Sequence, residues 1–191
     1  MSSPKERAFI SAITARPDIR LFLIFGQDES AIADIAAQMA AQLDGAERID
    51  IDSDRIRSDP ALLADEASSL SLFGDRRYVR LNFRRDEGLD AIENLLDLEN
   101  GTNPVIAIAG NLPKTSKLRK LVEGHPRAMA HICYLPEESS AAASVMAHAA
   151  TLGLKLDRSL SARIARYTGQ DRKLAQVELE KLALYYDASP E

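Results

Sequence analysis

Leu21-Phe22-Leu23-Ile24-Phe25 is followed, after Gly26, by Ile32, Ile35, Ala36, Met39 and Leu43. The first run is apolar at every position, which is how a strand buried on both faces of a parallel sheet reads. The second set recurs at offsets of 0, 3, 4, 7 and 11, one apolar stripe of an amphipathic helix. A doubly buried strand that turns into such a helix begins a crossover connection. Four more β-rich runs follow, at 47–51, 77–83, 105–109 and 129–134, with helical stretches between them. The expected fold class is therefore α/β, a parallel sheet flanked by helices.

After Pro136 the strand signal stops. Three helices are predicted, at 139–152, about 158–167 and about 171–186. Gly153 is placed to end the first with a left-handed cap, and Asp157 to cap the second. Ala175, Leu179, Leu182 and Tyr186 fall on one face of the third. The chain thus divides into an α/β domain, residues 1–135, and a small three-helix lid domain, residues 136–191. A bundle of that size is marginal alone. It is expected to lean on the α/β domain or on something absent, as in a fragment of a longer protein.

Composition narrows the function classes. The chain has 191 residues, 46% of them hydrophobic, which excludes a disordered protein. Twenty-four Lys and Arg stand against 29 Asp and Glu, a net charge of −5, so indiscriminate nucleic-acid binding is not expected. The longest apolar runs fall far short of the ~20 residues that span a bilayer. The N-terminal Met1-Ser2-Ser3-Pro4-Lys5-Glu6-Arg7 lacks the apolar core of an export signal. The single cysteine, Cys133, allows no internal disulfide and no cysteine-based zinc cage. A soluble, cytoplasmic protein without a membrane partner is expected.

An α/β domain followed by a helical lid suggests a nucleotide-dependent machine, so phosphate binding is the first test. A phosphate cradle needs glycines for close backbone approach, then Lys and Ser or Thr for the terminal phosphate and magnesium. Gly26-Gln27-Asp28-Glu29-Ser30 has one glycine, no lysine and two carboxylates that repel a triphosphate. The dinucleotide fingerprint fails as well, because its second and third glycines are missing. The run 105–109 leads into Gly110-Asn111-Leu112-Pro113-Lys114, with no carboxylate to hold magnesium or activate water. No ATP hydrolysis is expected, and no nucleotide or other cofactor.

Other chemistries fare no better. His125, His131 and His148 have no helical ligand spacing. His131 and Cys133 share a strand face, and buried sheet residues are the favoured reading over a reactive pair. Asp50, Asp52 and Asp54 alternate like a metal cluster, but a solvated strand end and loop caps explain them. No catalytic residue and no metal site is assigned. Two basic clusters remain: Arg76, Arg77, Arg80, Arg84 and Arg85, and Lys114, Lys117, Arg119 and Lys120. Arg76, Arg77, Lys114 and Lys117 are the candidates for contact with DNA phosphates. A solvated face balanced by Asp75, Asp86 and Glu87 is the competing explanation.

Ser68-Ser69-Leu70-Ser71-Leu72-Phe73-Gly74-Asp75-Arg76-Arg77 resists a routine description. A helix from about Pro60 turns Leu63, Ala67 and Leu70 inward. Leu72 and Phe73 then stand adjacent beside Gly74. Two large apolar residues at a turn are either core or an anchor that fills a partner's pocket. On physical grounds alone both readings stand, with core the commoner.

Four elements carry a family resemblance: Leu21 to Glu29, Ser71-Leu72-Phe73-Gly74-Asp75-Arg76-Arg77, Asn111 to Leu118, and Gly169 to Leu174 followed by Glu178 to Leu182. In order and spacing they resemble the delta subunit of the bacterial DNA polymerase III clamp loader across nearly the whole chain. The resemblance implies an AAA+-like fold that has lost its nucleotide site, with a helical second domain. It implies that Leu72 and Phe73, supported by Leu70 and Ser71, wedge into the sliding clamp and help to open it for loading on primed DNA. Arg172 falls at a sensor-arginine position, with no γ-phosphate to sense. The family's third, C-terminal domain, which joins the other clamp-loader subunits, is absent from this chain. ATP hydrolysis and polymerase activity would belong to other subunits of the holoenzyme. An active ATPase and a DNA-binding module built on the Arg76–Arg85 cluster are the alternatives.

Overall fold

The computed structural model describes residues 3–69, 76–83, 86, 88–99 and 103–189. They form two compact units, residues 1–27 with 31–133, and residues 28–30 with 134–191.

The first unit is built on a parallel sheet of β1 (Leu21–Gly26), β2 (Glu47–Asp52), β3 (Arg77–Phe83), β4 (Val105–Ala109) and β5 (Ala128–Cys133). Its strand order is β2-β3-β4-β1-β5. β1 lies inside, with Leu21 opposite Val105 on one side and Ala128 on the other. Its alternating side chains feed two cores. Leu21, Leu23 and Phe25 join Val79, Leu81, Ile92 and Leu95 on one face. Phe22 and Ile24 join Phe9, Ile13, Ile35 and Met39 on the other. That division explains why the run is apolar throughout.

Helices α1 (Pro4–Ala15), α2 (Glu29–Ala41), α3 (Ser53–Ser58), α4 (Leu62–Ser68), α5 (Leu89–Asp97) and α6 (Lys117–Gly124) accompany the sheet. Ile32, Ile35, Ala36, Met39 and Leu43 are all buried, as the stripe predicted. Leu63 and Ala67 of α4 are fully buried, while Leu70 lies outside the described residues. Asp50 pairs with Arg48 at 2.7 Å and Asp54 with Arg57 at 3.1 Å, so this alternation of acids is a strand end running into α3. The carbonyls of Leu95, Leu96 and Leu98 at the end of α5 accept hydrogen bonds from the Arg20 guanidinium, and those of Leu96 and Leu98 also from Arg127. These would otherwise be orphan carbonyls at a helix C-terminus.

The second unit contains α7 (Glu138–Thr151), α8 (Arg158–Tyr167) and α9 (Arg172–Tyr185). Asp157 accepts from the Leu160 N–H at 2.7 Å and Asp171 from the Leu174 N–H at 3.0 Å, so both start as capped helices. Gly153 has φ +77° just beyond α7, the left-handed conformation expected of it. The core is small: Ala141, Val145, Ala149, Ala165, Ala175 and Leu179. The predicted α9 stripe needs correction at its end. Tyr186 is 69% exposed, because the helix stops at Tyr185 and the apolar face runs out.

Candidate partner-binding site

Because the sheet is parallel, the N-terminal ends of all its strands lie along one edge and the C-terminal ends along the other. Residues 69–76 link α4 to the N-terminal end of β3. Leu70, Ser71, Leu72 and Phe73, the predicted partner-binding residues, lie outside the described residues. Both anchor points of the segment are described.

Ser69 follows α4, and its hydroxyl donates to the Glu66 carbonyl at 2.8 Å. Arg77 Nη1 donates to the same hydroxyl at 2.6 Å, while Arg77 Nε donates to Glu47 Oε2 at 2.8 Å. Asn103 Nδ2 donates to the Ser69 carbonyl at 2.8 Å, and the Asn103 N–H to the Ala67 carbonyl at 2.8 Å. The Arg76 carbonyl accepts from the Glu47 N–H at 2.8 Å. Ser69 and Arg76, which flank the segment, are therefore tied to β2, to β3 and to the residues before β4. A segment held at both ends loses less conformational freedom on docking than one on a loose stem.

The candidate DNA residues fall apart into separate places. Arg76 is exposed beside the segment. Arg77 is committed to Ser69 and Glu47, its side chain 17% exposed. Arg80 is half-buried on the β2–β3 ladder opposite Asp50. Arg84 and Arg85 lie outside the described residues. Lys114 and Lys117 are exposed beyond the C-terminal end of β4, a strand length of roughly 15–20 Å from Arg76. Their neighbour Arg119 turns inward, with its guanidinium 5.0 Å from the Phe25 ring centroid and 2.8 Å from Glu123. Of the three described arginines of the run, Arg76 is exposed, Arg77 is engaged and Arg80 is half-buried.

The C-terminal edge holds the turn after β1. Gly26 has φ +146°, and a Cβ there would come within 2.0 Å of the Cys133 carbonyl oxygen. The Gly26 N–H donates to the Gly110 carbonyl at 3.2 Å and the Gln27 N–H to the Cys133 carbonyl at 2.9 Å. Both amides serve the ends of β4 and β5 and neither is offered to a phosphate. Glycine here answers a backbone contact. Residues 28–30 group with the second unit, in which the Ser30 hydroxyl donates to Asp171 Oδ1 at 2.7 Å. Burial pushes the Asp171 carboxyl up, but bonds from the Leu174 N–H, the Ser30 hydroxyl and the Lys173 N–H outweigh it and hold the pKa below the usual value.

His131 and Cys133 are sheet residues. The His131 ring packs 5.3 Å from Phe9 and Cys133 is buried in the same layer. Among the described residues no group of three His, Cys, Asp or Glu could hold a metal ion. No described helix is long and apolar enough to cross a membrane.

No protein-family model and no curated protein sequence matches the chain. Solved structures do. The Bacillus subtilis DNA clamp loader delta protein (YqeN) superposes with a TM-score of 0.54 at 12% identity, over 97% of this chain and 59% of its own. A Thermotoga maritima RuvB variant superposes with a TM-score of 0.58 at 9% identity, over 97% of this chain and 64% of its own. The chain thus spans less than two thirds of either neighbour. These similarities establish an AAA+-like fold.

Proposed function

We propose that this chain is a clamp-loader delta-type subunit, which binds a ring-shaped sliding clamp and favours its open form during DNA replication in the cytoplasm. The observation that carries the reading is the turn after β1. An AAA+-like fold that spends the Gly26 and Gln27 amides on the ends of β4 and β5 suits a subunit that acts by binding while sister subunits hydrolyse ATP. The braced base at Ser69 and Arg76 supports Leu72 and Phe73 as the clamp-binding wedge, with Leu70 and Ser71 beside them. The work is mechanical. A wedge shifts the ring toward opening only by its extra affinity for the open form.

The test is binding of the 191-residue chain to the sliding clamp of the same organism, beside the double variant Leu72→Ala/Phe73→Ala. Binding that disappears in a variant with an unchanged melting profile supports the wedge. Equal binding by both chains refutes these residues as the anchor, and no binding by the parent chain refutes clamp binding by this segment of protein. A magnesium-dependent rise in melting temperature with ATP would overturn the reading of the turn.

A further inference from the structure

α8 carries Arg158, Arg163 and Arg166 and no acidic residue. At about 100° per residue, these three, Ser159 and Tyr167 occupy the outward half of the helix, while Ser161, Ala165 and Thr168 are buried. Arg158 and Arg163 form no ion pair or side-chain hydrogen bond among the described residues. Arg166 meets Glu138 at 3.1 Å, but the two side chains are 61% and 53% exposed. An ion pair so open to water contributes little. Tyr167 is 87% exposed at the end of the row. From 158 to 173 five basic residues stand against one acid, in a chain of net charge −5. That acid, Asp171, is engaged as the cap of α9.

Packing gives no reason for this face. Arg163 and Arg166 lie three apart on one helix, where like charges repel. Every residue on the outward arc could be polar and neutral without touching the core. The choice of arginine points to an oxyanion, since guanidinium grips phosphate oxygens in pairs where lysine offers only a point charge. A bare aromatic ring beside such groups is a surface on which an unpaired base stacks.

We propose that the outward face of α8 binds single-stranded DNA, with Arg158, Arg163 and Arg166 on successive phosphates and Tyr167 stacked on a base. Arg158 to Arg166 is about 12 Å along the helix, room for three or four nucleotides at the ~3.4 Å spacing of a stacked strand. A duplex would leave Tyr167 unused, because its bases are already stacked on one another. This site does not depend on the clamp reading and survives if that reading fails.

The test is fluorescence anisotropy of a labelled 20-residue oligothymidylate with the 191-residue chain between 25 and 200 mM salt. Three phosphate contacts predict a slope of log affinity against log salt of about −2. Arg158→Gln/Arg163→Gln/Arg166→Gln should abolish binding, and Tyr167→Ala should weaken it roughly tenfold. Lys5→Gln/Arg55→Gln/Arg57→Gln, at exposed positions outside both basic clusters, should leave it unchanged. All α8 substitutions are at exposed positions, and an unchanged melting curve certifies the fold. No binding at 25 mM salt, or full binding by the triple arginine variant, overturns the proposal. Equal competition by duplex DNA or by polyglutamate, or no effect of Tyr167→Ala, overturns the single-strand assignment.

Discussion

Replacing Gly26 by alanine tests whether this glycine serves the sheet rather than a ligand. The new Cβ would lie 2.0 Å from the Cys133 carbonyl oxygen, which belongs to backbone and cannot swing aside. An L residue held at a conformation it rarely adopts costs about 1–3 kcal/mol. Relieving the contact also strains the Gln27–Cys133 and Gly26–Gly110 hydrogen bonds, each contributing about 1 kcal/mol. Alanine recovers about 0.4–1 kcal/mol by restricting the unfolded chain. A net loss of about 3–4 kcal/mol follows. Gly45→Ala is the control, since Gly45 has φ +75° but nothing within 4 Å of the added Cβ. It should cost about 1 kcal/mol, the left-handed penalty less the same entropic gain. Native-state hydrogen exchange at the Leu23 and Ile24 amides reads the stability of this unit by itself. Equal losses in the two variants, or a loss under about 1 kcal/mol for Gly26→Ala, would refute the steric account.

Further outcomes follow from the same contacts. Arg77→Gln removes the ties to Ser69 and Glu47 and should cost about 1–2 kcal/mol, part of the charge being screened by water at the exposed Glu47. Asn103→Ala should cost about 1 kcal/mol and, sharing Ser69 with Arg77, should combine with it non-additively in a denaturation cycle. Ser116→Ala should cost about 1–2 kcal/mol by thermal melting, because this hydroxyl accepts from the Arg119 N–H at 3.0 Å and donates to Asp86 at the start of α6. Burial against Phe9 lowers the His131 pKa, with Glu6 opposing. Its contribution to stability is therefore complete above about pH 6.5 and declines as pH falls through the folded-state value. Urea midpoints between pH 7.5 and 5 should show that decline, and His131→Phe should reduce it.

Much of the fold was legible because its signals are local. A run with no polar side at 21–25 has only one stable setting, between helices on both faces of a sheet, and the five predicted strands fall within a residue or two of those observed. The stripe from Ile32 to Leu43 and the cap at Asp157 are equally short-range. The first helix, absent from the expected elements, also has a local signal. Ser3-Pro4-Lys5-Glu6 has the serine, first-turn proline and glutamate of a helix start, and Ser3 does accept from the Glu6 N–H at 3.1 Å. Helix α1 follows it, burying Phe9, Ile10, Ala12 and Ile13.

Tertiary structure alone decided the rest, because it depends on which distant segments meet. Nothing in the order of the strands along the chain says that β1 lies between β4 and β5. That placement brings Gly110 and Cys133 to the turn after β1, where they accept from the Gly26 and Gln27 amides. Periodicity could not show that Arg77 and Asn103 converge on Ser69 across 8 and 34 residues of chain. Charge counting groups Arg76, Arg77, Arg80, Arg84 and Arg85 as one cluster, yet β3 sends Arg77 and Arg80 to opposite faces and hydrogen-bonded partners claim Arg77. The arginines of α8 make the converse case. Scattered in sequence among Ser, Ala and Ile, they fall on the exposed side of α8 because the helix turns Ser161 and Ala165 inward.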